Sequence, residues 1–134
     1  MGKVVLGLGF GDEGKGLTTS YLCSRTENPI VVRFNGGHQA GHTVVFNNRK
    51  HIFSGFGAGT LQNVPTYWSD KCTFYPPSFM RERKILTFQG YTPKFYINPL
   101  CPVTTPFDID FNRNKEQVNK HGSVGMGFGA TIQR

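Results

Sequence analysis

Asp12 and Lys15 stand inside a glycine-rich run, GFGDEGKG from Gly9 to Gly16, which follows the apolar stretch Val4, Val5, Leu6. A lysine ammonium and a row of free backbone N–H groups at a loop-to-helix junction together make a site for phosphate. Gly9 to Lys15 fits GxxxxGK, yet Gly16 occupies the position where a phosphate loop of that kind carries the Ser or Thr hydroxyl that holds magnesium. A metal therefore needs another ligand. A carboxylate facing phosphate is repelled unless it ligates a cation or takes a proton from substrate, which leaves Asp12 two chemical roles, metal ligand or general base.

The same run satisfies GxGxxG through Gly9, Gly11 and Gly14. A dinucleotide site requires an acidic residue about 20 positions on, at the end of the next strand, to hold a ribose hydroxyl. That strand, Ile30 to Phe34, instead ends in Arg33, Phe34 and Asn35, so the dinucleotide reading fails.

A second glycine-rich segment, GGHQAGHT from Gly36 to Thr43, follows this strand. In a parallel sheet it lies beside the first loop, at the carboxyl edge where ligands bind. His38 and His42 are four apart, the spacing of helical zinc ligands, but Gly36, Gly37 and Gly41 disfavour a helix and no third ligand accompanies them. A histidine here either supports the loop from inside or acts on phosphate as an acid or electrostatic stabiliser. A third such segment, HGSVGMGFG, runs from His121 to Gly129.

The elements that must position these loops follow from pattern. Val4 to Leu8 predicts a buried strand, and a helix from about Gly14 to Ser24 would turn Leu17, Tyr21 and Leu22 inward. With Ile30 to Phe34 these form a βαβ unit of a parallel sheet. Val44 to Phe46 and His51 to Phe53 flank Asn47 and Asn48 and predict a hairpin. Pro76 and Pro77 precede a helix over Ser78 to Leu86, Lys94 to Ile97 predicts a strand, and Phe107 to Val118 an Asn-rich helix. The third loop leads to no convincing closing element, so the expectation is one incomplete α/β domain over residues 1–134, resembling a truncated chain.

Composition narrows the function classes. The chain of 134 residues has 17 Gly, 8 Pro and a formal charge of +7, but its 15 basic residues are spread from Lys3 to Arg134 with only the short cluster Arg81, Arg83, Lys84. That spread suits nucleotide phosphates better than nucleic acid. Cys23, Cys72 and Cys101 form no CxxC pair, which argues against a disulfide framework or structural zinc and for a reducing compartment. There is no signal-peptide pattern and no stretch of membrane-spanning length, so a cytoplasmic location without membrane contact is expected.

GDEGKG at Gly11 to Gly16 and VVRFNGGHQAGHTV at Val31 to Val44 closely resemble adenylosuccinate synthetase. The resemblance continues through SGFGAGTL (Ser54 to Leu61), TFYPPSFMRERKIL (Thr73 to Leu86) and the Leu100–Pro102 region, and covers the N-terminal part of that family. It implies a fold of the P-loop NTPase-like α/β class, with a parallel or mixed sheet and flanking helices. It also implies joining of L-aspartate to IMP at the expense of GTP with Mg²⁺, through 6-phosphoryl-IMP, in an enzyme that is a homodimer when full length. By resemblance, Asp12 removes the N1 proton of the purine and ligates Mg²⁺, the Gly41 carbonyl is a second metal ligand, and His42 stabilises or protonates the transferring phosphoryl oxygens. Gly11, Asp12, Glu13, Gly14, Lys15 and Gly16 would bind phosphate, with Gln39, Ala40, Gly41, His42 and Thr43 from the second loop and Ser123 and Val124 from the third. Gln39 stands where a purine-contacting Asn is usual.

Three departures from the family pattern matter. Leu17 replaces a second Lys, Val124 replaces a hydroxyl residue and Met126 an Arg. They resemble divergent relatives, including the phage branch that uses dGMP to make a 2-aminoadenylosuccinate nucleotide. Asn114 to Gln117 is no NKxD motif, so a guanine-reading site is not evident in these residues. Two other readings therefore stand beside IMP ligation: the dGMP-using ligase, and a catalytically inactive nucleotide-binding module.

Overall fold

A computed structural model describes residues 1–119 and 122–134. Its elements in chain order are α1 (Lys15–Ser24), β1 (Val31–Arg33), β2 (His42–Phe46), β3 (Arg49–Phe53), a 3₁₀ turn at Thr60–Gln62, β4 (Thr66–Trp68), α2 (Pro76–Phe88), β5 (Phe95–Ile97), α3 (Pro106–Asn119) and α4 (Phe128–Gln133). The three short strands β1, β4 and β5 form a parallel sheet in the order β1-β4-β5, with Val31 opposite Thr66 and Thr66 opposite Phe95. The arrangement is α/β, as expected. His121, which opens the third glycine segment, lies outside the described residues.

The hairpin forms where the asparagine pair predicts it. Asn47 and Asn48 both take positive φ, 49° and 61°, the backbone of a type I′ turn that matches the twist of its flanking strands. Its ladder pairs His42 with Phe53 and Val44 with His51. Val44 and Phe53 face a core completed by Phe56, Ala58, Leu61, Phe79 and Leu86, against which Phe46, Phe74, Tyr91 and Phe95 pack. The aromatic contacts are dense: the rings of Phe79 and Phe95 are 4.3 Å apart and those of Phe56 and Phe79 4.7 Å. Each such pair adds roughly 1 kcal/mol beyond area burial, and these two tie α2 to β5 and to the segment after the hairpin.

Helix α2 begins at Pro76 itself, where a missing N–H costs nothing, two residues before the expected start. A fourth helix, α4, closes the third loop, contrary to the expectation of no closing element. Thr131 Oγ1 donates to Thr104 Oγ1 at 2.9 Å, and Arg134 Nε donates to Asp108 Oδ1 at 3.1 Å.

Two expectations fail. Val4 to Leu8 joins no β-ladder among the described residues, and Val4, Leu6 and Leu8 are 69%, 67% and 96% exposed. A parallel strand of this composition needs both faces covered. Helix α1 does not provide that cover, because it packs on β2 and the 3₁₀ turn instead of on the sheet. The inward face of α1 is also different from the one its apolar residues suggest. Gly16, Ser20 and Cys23 are buried while Leu17 and Tyr21 are exposed. Small residues allow the close approach, and Gln62 Nε2 donates to Ser20 Oγ at 2.7 Å across the contact.

Candidate active site

The first loop enters α1 through Gly14, whose φ of 74° is a left-handed conformation that any side chain would strain. Among the described residues no side chain caps the helix, and its first intrahelical bond runs from Thr18 N to Gly14 O at 2.9 Å. The N–H groups of the first turn thus lack intrahelical acceptors and carry the positive end of the helix dipole. Asp12 is itself left-handed, with φ 52°, and exposed. Glu13 accepts from Gly9 N–H and from Lys15 Nζ, and the paired ammonium holds its carboxyl below the usual range.

The second loop meets the first where α1 begins. A Cβ placed on Gly16 would lie 3.0 Å from His42 Cβ and 3.4 Å from Thr43 O, so the first turn of α1 rests directly on the start of β2. A larger residue would separate them. His42 is half-buried here, and burial, then Arg33, then Lys15 push its pKa below the ordinary histidine range, favouring a neutral ring. A neutral imidazole beside a lysine and an uncapped helix end can donate a hydrogen bond to a phosphoryl oxygen. Gly41 and Thr43 are exposed at the same edge, and Ala40 N closes a turn on Gly37 O at 3.3 Å.

His38 turns away from this face. It is buried, its ring is 4.7 Å from that of Tyr75, and neither ring nitrogen has a partner among the described residues. It supports the loop from inside. Gly37 is equally enclosed: a Cβ there would meet Thr73 Oγ1, lie 2.7 Å from Gln39 Oε1 and lie 3.2 Å from Phe128 Cδ2. Gln39 therefore folds back over its own loop, and Phe128 of the third segment reaches the second.

Ser123 and Val124 are placed differently from Asp12 and His42. Ser123 Oγ accepts from Asn112 Nδ2 at 3.3 Å and from Gly125 N at 3.2 Å, which fastens the third loop to α3. Val124 is exposed. The sequence reading missed Arg33 as a structural residue, and it missed Glu82, Thr73 and Phe128. For Glu82 a signal existed, since Phe79, Glu82 and Leu86 share one helical face and that face is buried.

The donors present suit a hard divalent cation. Asp12 offers a carboxylate and Gly41 a carbonyl, oxygen ligands of the kind magnesium takes alongside substrate phosphates. The uncapped end of α1 and Lys15 suit the phosphates themselves. All three cysteines are free and buried, and burial pushes the Cys101 thiol up to about 11.

The family model for adenylosuccinate synthetase matches residues 4–134. The chain belongs to the adenylosuccinate synthetase family. Among curated relatives it is 34% identical over 128 residues to the adenylosuccinate synthetase of Borrelia turicatae, covering 93% of this chain and 30% of that protein. It is 34% identical over 141 residues to that of Pasteurella multocida, covering 99% and 32%. The chain thus spans about a third of the length of these relatives. Its fold superposes on the fully ligated adenylosuccinate synthetase of Plasmodium falciparum with a TM-score of 0.74 at 24% identity, over 92% of this chain and 31% of that one. It also superposes on the cyanophage S-2L succinoaminodeoxyadenylate synthetase, solved with dGMP and dATP, with a TM-score of 0.71 at 18% identity, over 93% and 36%. Members of the family are carbon–nitrogen ligases of purine biosynthesis.

Proposed function

We propose that this chain supplies the phosphate- and proton-handling part of a cytoplasmic enzyme that uses GTP to join L-aspartate to IMP. The carrying observation is the contact of Gly16 with His42, which brings the open end of α1, Lys15 and a histidine favoured neutral to one place. Asp12, exposed on the loop, takes the N1 proton of the purine and so makes O6 the nucleophile toward the γ-phosphate. His42 donates to the phosphoryl oxygens as charge moves onto them, and the N–H groups of α1 with Lys15 orient the phosphates. Magnesium, when bound through Asp12 and the Gly41 carbonyl, supplies charge neutralisation. Positioning and neutralisation of this kind carry most of phosphoryl-transfer catalysis.

Leu17, Val124 and Met126, together with the fold shared with the phage protein solved with dGMP, support a second reading in which a 2-aminopurine nucleotide replaces IMP. The ratio of kcat/KM for IMP and dGMP separates the two.

Calorimetry of GTP on the purified chain tests the main reading. Binding is expected to be weak, salt-sensitive and Mg²⁺-dependent, with ATP similar because these contacts read phosphate. Asp12→Asn should abolish the Mg²⁺ dependence and, where turnover is measured, lower kcat by at least ~10². Binding indifferent to both Mg²⁺ and Asp12→Asn removes the proposed role.

A further inference from the structure

The corner that follows β3 is gripped from two sides by buried charged groups. On one side Glu82 of α2, 5% exposed, accepts four donors. These are Ser54 N at 3.3 Å, Ser54 Oγ at 3.0 Å, Gly55 N at 2.5 Å and His51 Nε2 at 3.3 Å. On the other side Arg33, at the end of β1, donates from Nη1 to Ser54 O at 3.0 Å while its guanidinium stacks on Trp68 at 4.7 Å. The N–H and the C=O of Ser54 are thus held by opposite charges from two different elements. Burial works against the charge of Arg33, and Glu82 nearby favours it.

The corner matters because of register. Phe53, the residue before it, pairs with His42 in the hairpin ladder, and Phe53 is fully buried. Where Ser54 sits therefore fixes where Phe53 sits, and the ladder transmits that to His42. We propose that Glu82 and Arg33 form a two-sided clamp on Ser54 that positions His42 against the first loop. The clamp residues touch no phosphate; they are positioning residues. The inference rests on the reading of His42 as the phosphoryl-facing histidine.

Residue-resolved amide hydrogen exchange on the chain tests it without any nucleotide. Glu82→Gln keeps the shape but weakens acceptance and leaves Arg33 without its compensating charge. Exchange across β2 and β3 should accelerate about tenfold or more, as expected when hydrogen bonds to a charged group are weakened, while α3 and α4 stay unchanged. The carbon–proton signal of the His42 ring should move and that of His38 should not. Ser54→Ala, which removes one donor and keeps both charges, should give the same pattern at smaller size, and it decides the matter where Glu82→Gln fails to fold. Uniform acceleration over the whole chain, or an unmoved His42 signal with a protected hairpin, overturns the clamp. Failure of GTP to bind while these shifts occur would count against the function alone.

Discussion

The first and third glycine loops carry four glycines each and differ in how their backbone donors are used. In the third, Glu116 takes the N–H of Gly122 and of Ser123, Ser123 Oγ takes that of Gly125, and Asn112 Oδ1 takes that of Gly127 at 3.0 Å. Arg113 Nε also donates to Gly125 O at 3.3 Å. In the first, Glu13 takes Gly9 N–H and, among the described residues, nothing takes the N–H groups of Phe10 to Gly14, while the helices after both loops, α1 and α4, lack a side-chain cap. A loop binds an anion with the donors it has not already used. The first loop is therefore receptive and the third is a clasp that holds α4 to α3, although both are rich in glycine.

Disrupting the clasp should give the largest effect. Gly127 has φ 79°, and a Cβ there would lie 2.9 Å from Ile109 N and 3.0 Å from the Asp108 carbonyl carbon. Backbone cannot yield as a flexible side chain can. Gly127→Ala should destabilise the chain by about 3 kcal/mol or more, from the strained conformation and the clash together. Chemical denaturation measures it. Should triphosphate affinity of the folded fraction collapse in parallel, the two loops are one site and the contrast is wrong.

This contrast also explains what the sequence could and could not show. Periodicity and turn chemistry located the hairpin, α2, β5 and α3, because Asn47–Asn48, Pro76 and the apolar spacing are local signals. Asp12, Lys15, Gly16 and His42 stand out as a candidate site because phosphate chemistry needs those types close to glycine, and the structure sets Gly16 against His42. The apolar run Val4 to Leu8 predicts a strand that does not form, because burial of such a strand depends on cover from residues distant in sequence. Hydrophobicity alone turns Leu17 and Tyr21 inward, yet close packing of α1 on β2 selects the small face of Gly16 and Ser20. For Ser123, only the placement of Asn112 and Gly125 shows that its oxygen accepts two hydrogen bonds. Nothing local in the sequence announces such a partner.

A smaller effect should appear in acid. Asp108 Oδ2 accepts from Thr105 N at 2.7 Å and from Thr105 Oγ1 at 2.8 Å, an N-terminal cap on α3, and Arg134 pairs with the same carboxylate. Burial alone would raise its pKa; Arg134 and Thr105 outweigh that and bring it to about 2. The folded value lies below the ordinary one, so this stabilisation is complete above about pH 4 and is lost as pH falls from 4 toward 2. Circular dichroism across that window should show α3 and α4 loosening first, and Asp108→Asn should remove that acid-dependent step. The same step persisting in Asp108→Asn would show that the clasp does not depend on this carboxylate.

The smallest effect expected sharpens the comparison from the receptive side. Glu13 is the internal anion of the first loop, paired with Lys15 and bonded to Gly9 N–H, so an incoming phosphate must compete with a carboxylate already in place. Lys15→Ala removes the phosphate contact proposed for Lys15 but also frees Glu13, so its cost is offset in part. Glu13→Gln removes the competitor and the like charge while leaving the ammonium, and it should strengthen triphosphate binding. The gain should be only about threefold, because exposed ion pairs are weak and screened, and it should shrink as salt rises. Calorimetry at two salt concentrations reads both variants. Weaker binding in Glu13→Gln would mean that the carboxylate orders the loop for phosphate, which would make the first loop, like the third, one whose internal hydrogen bonds come before any ligand.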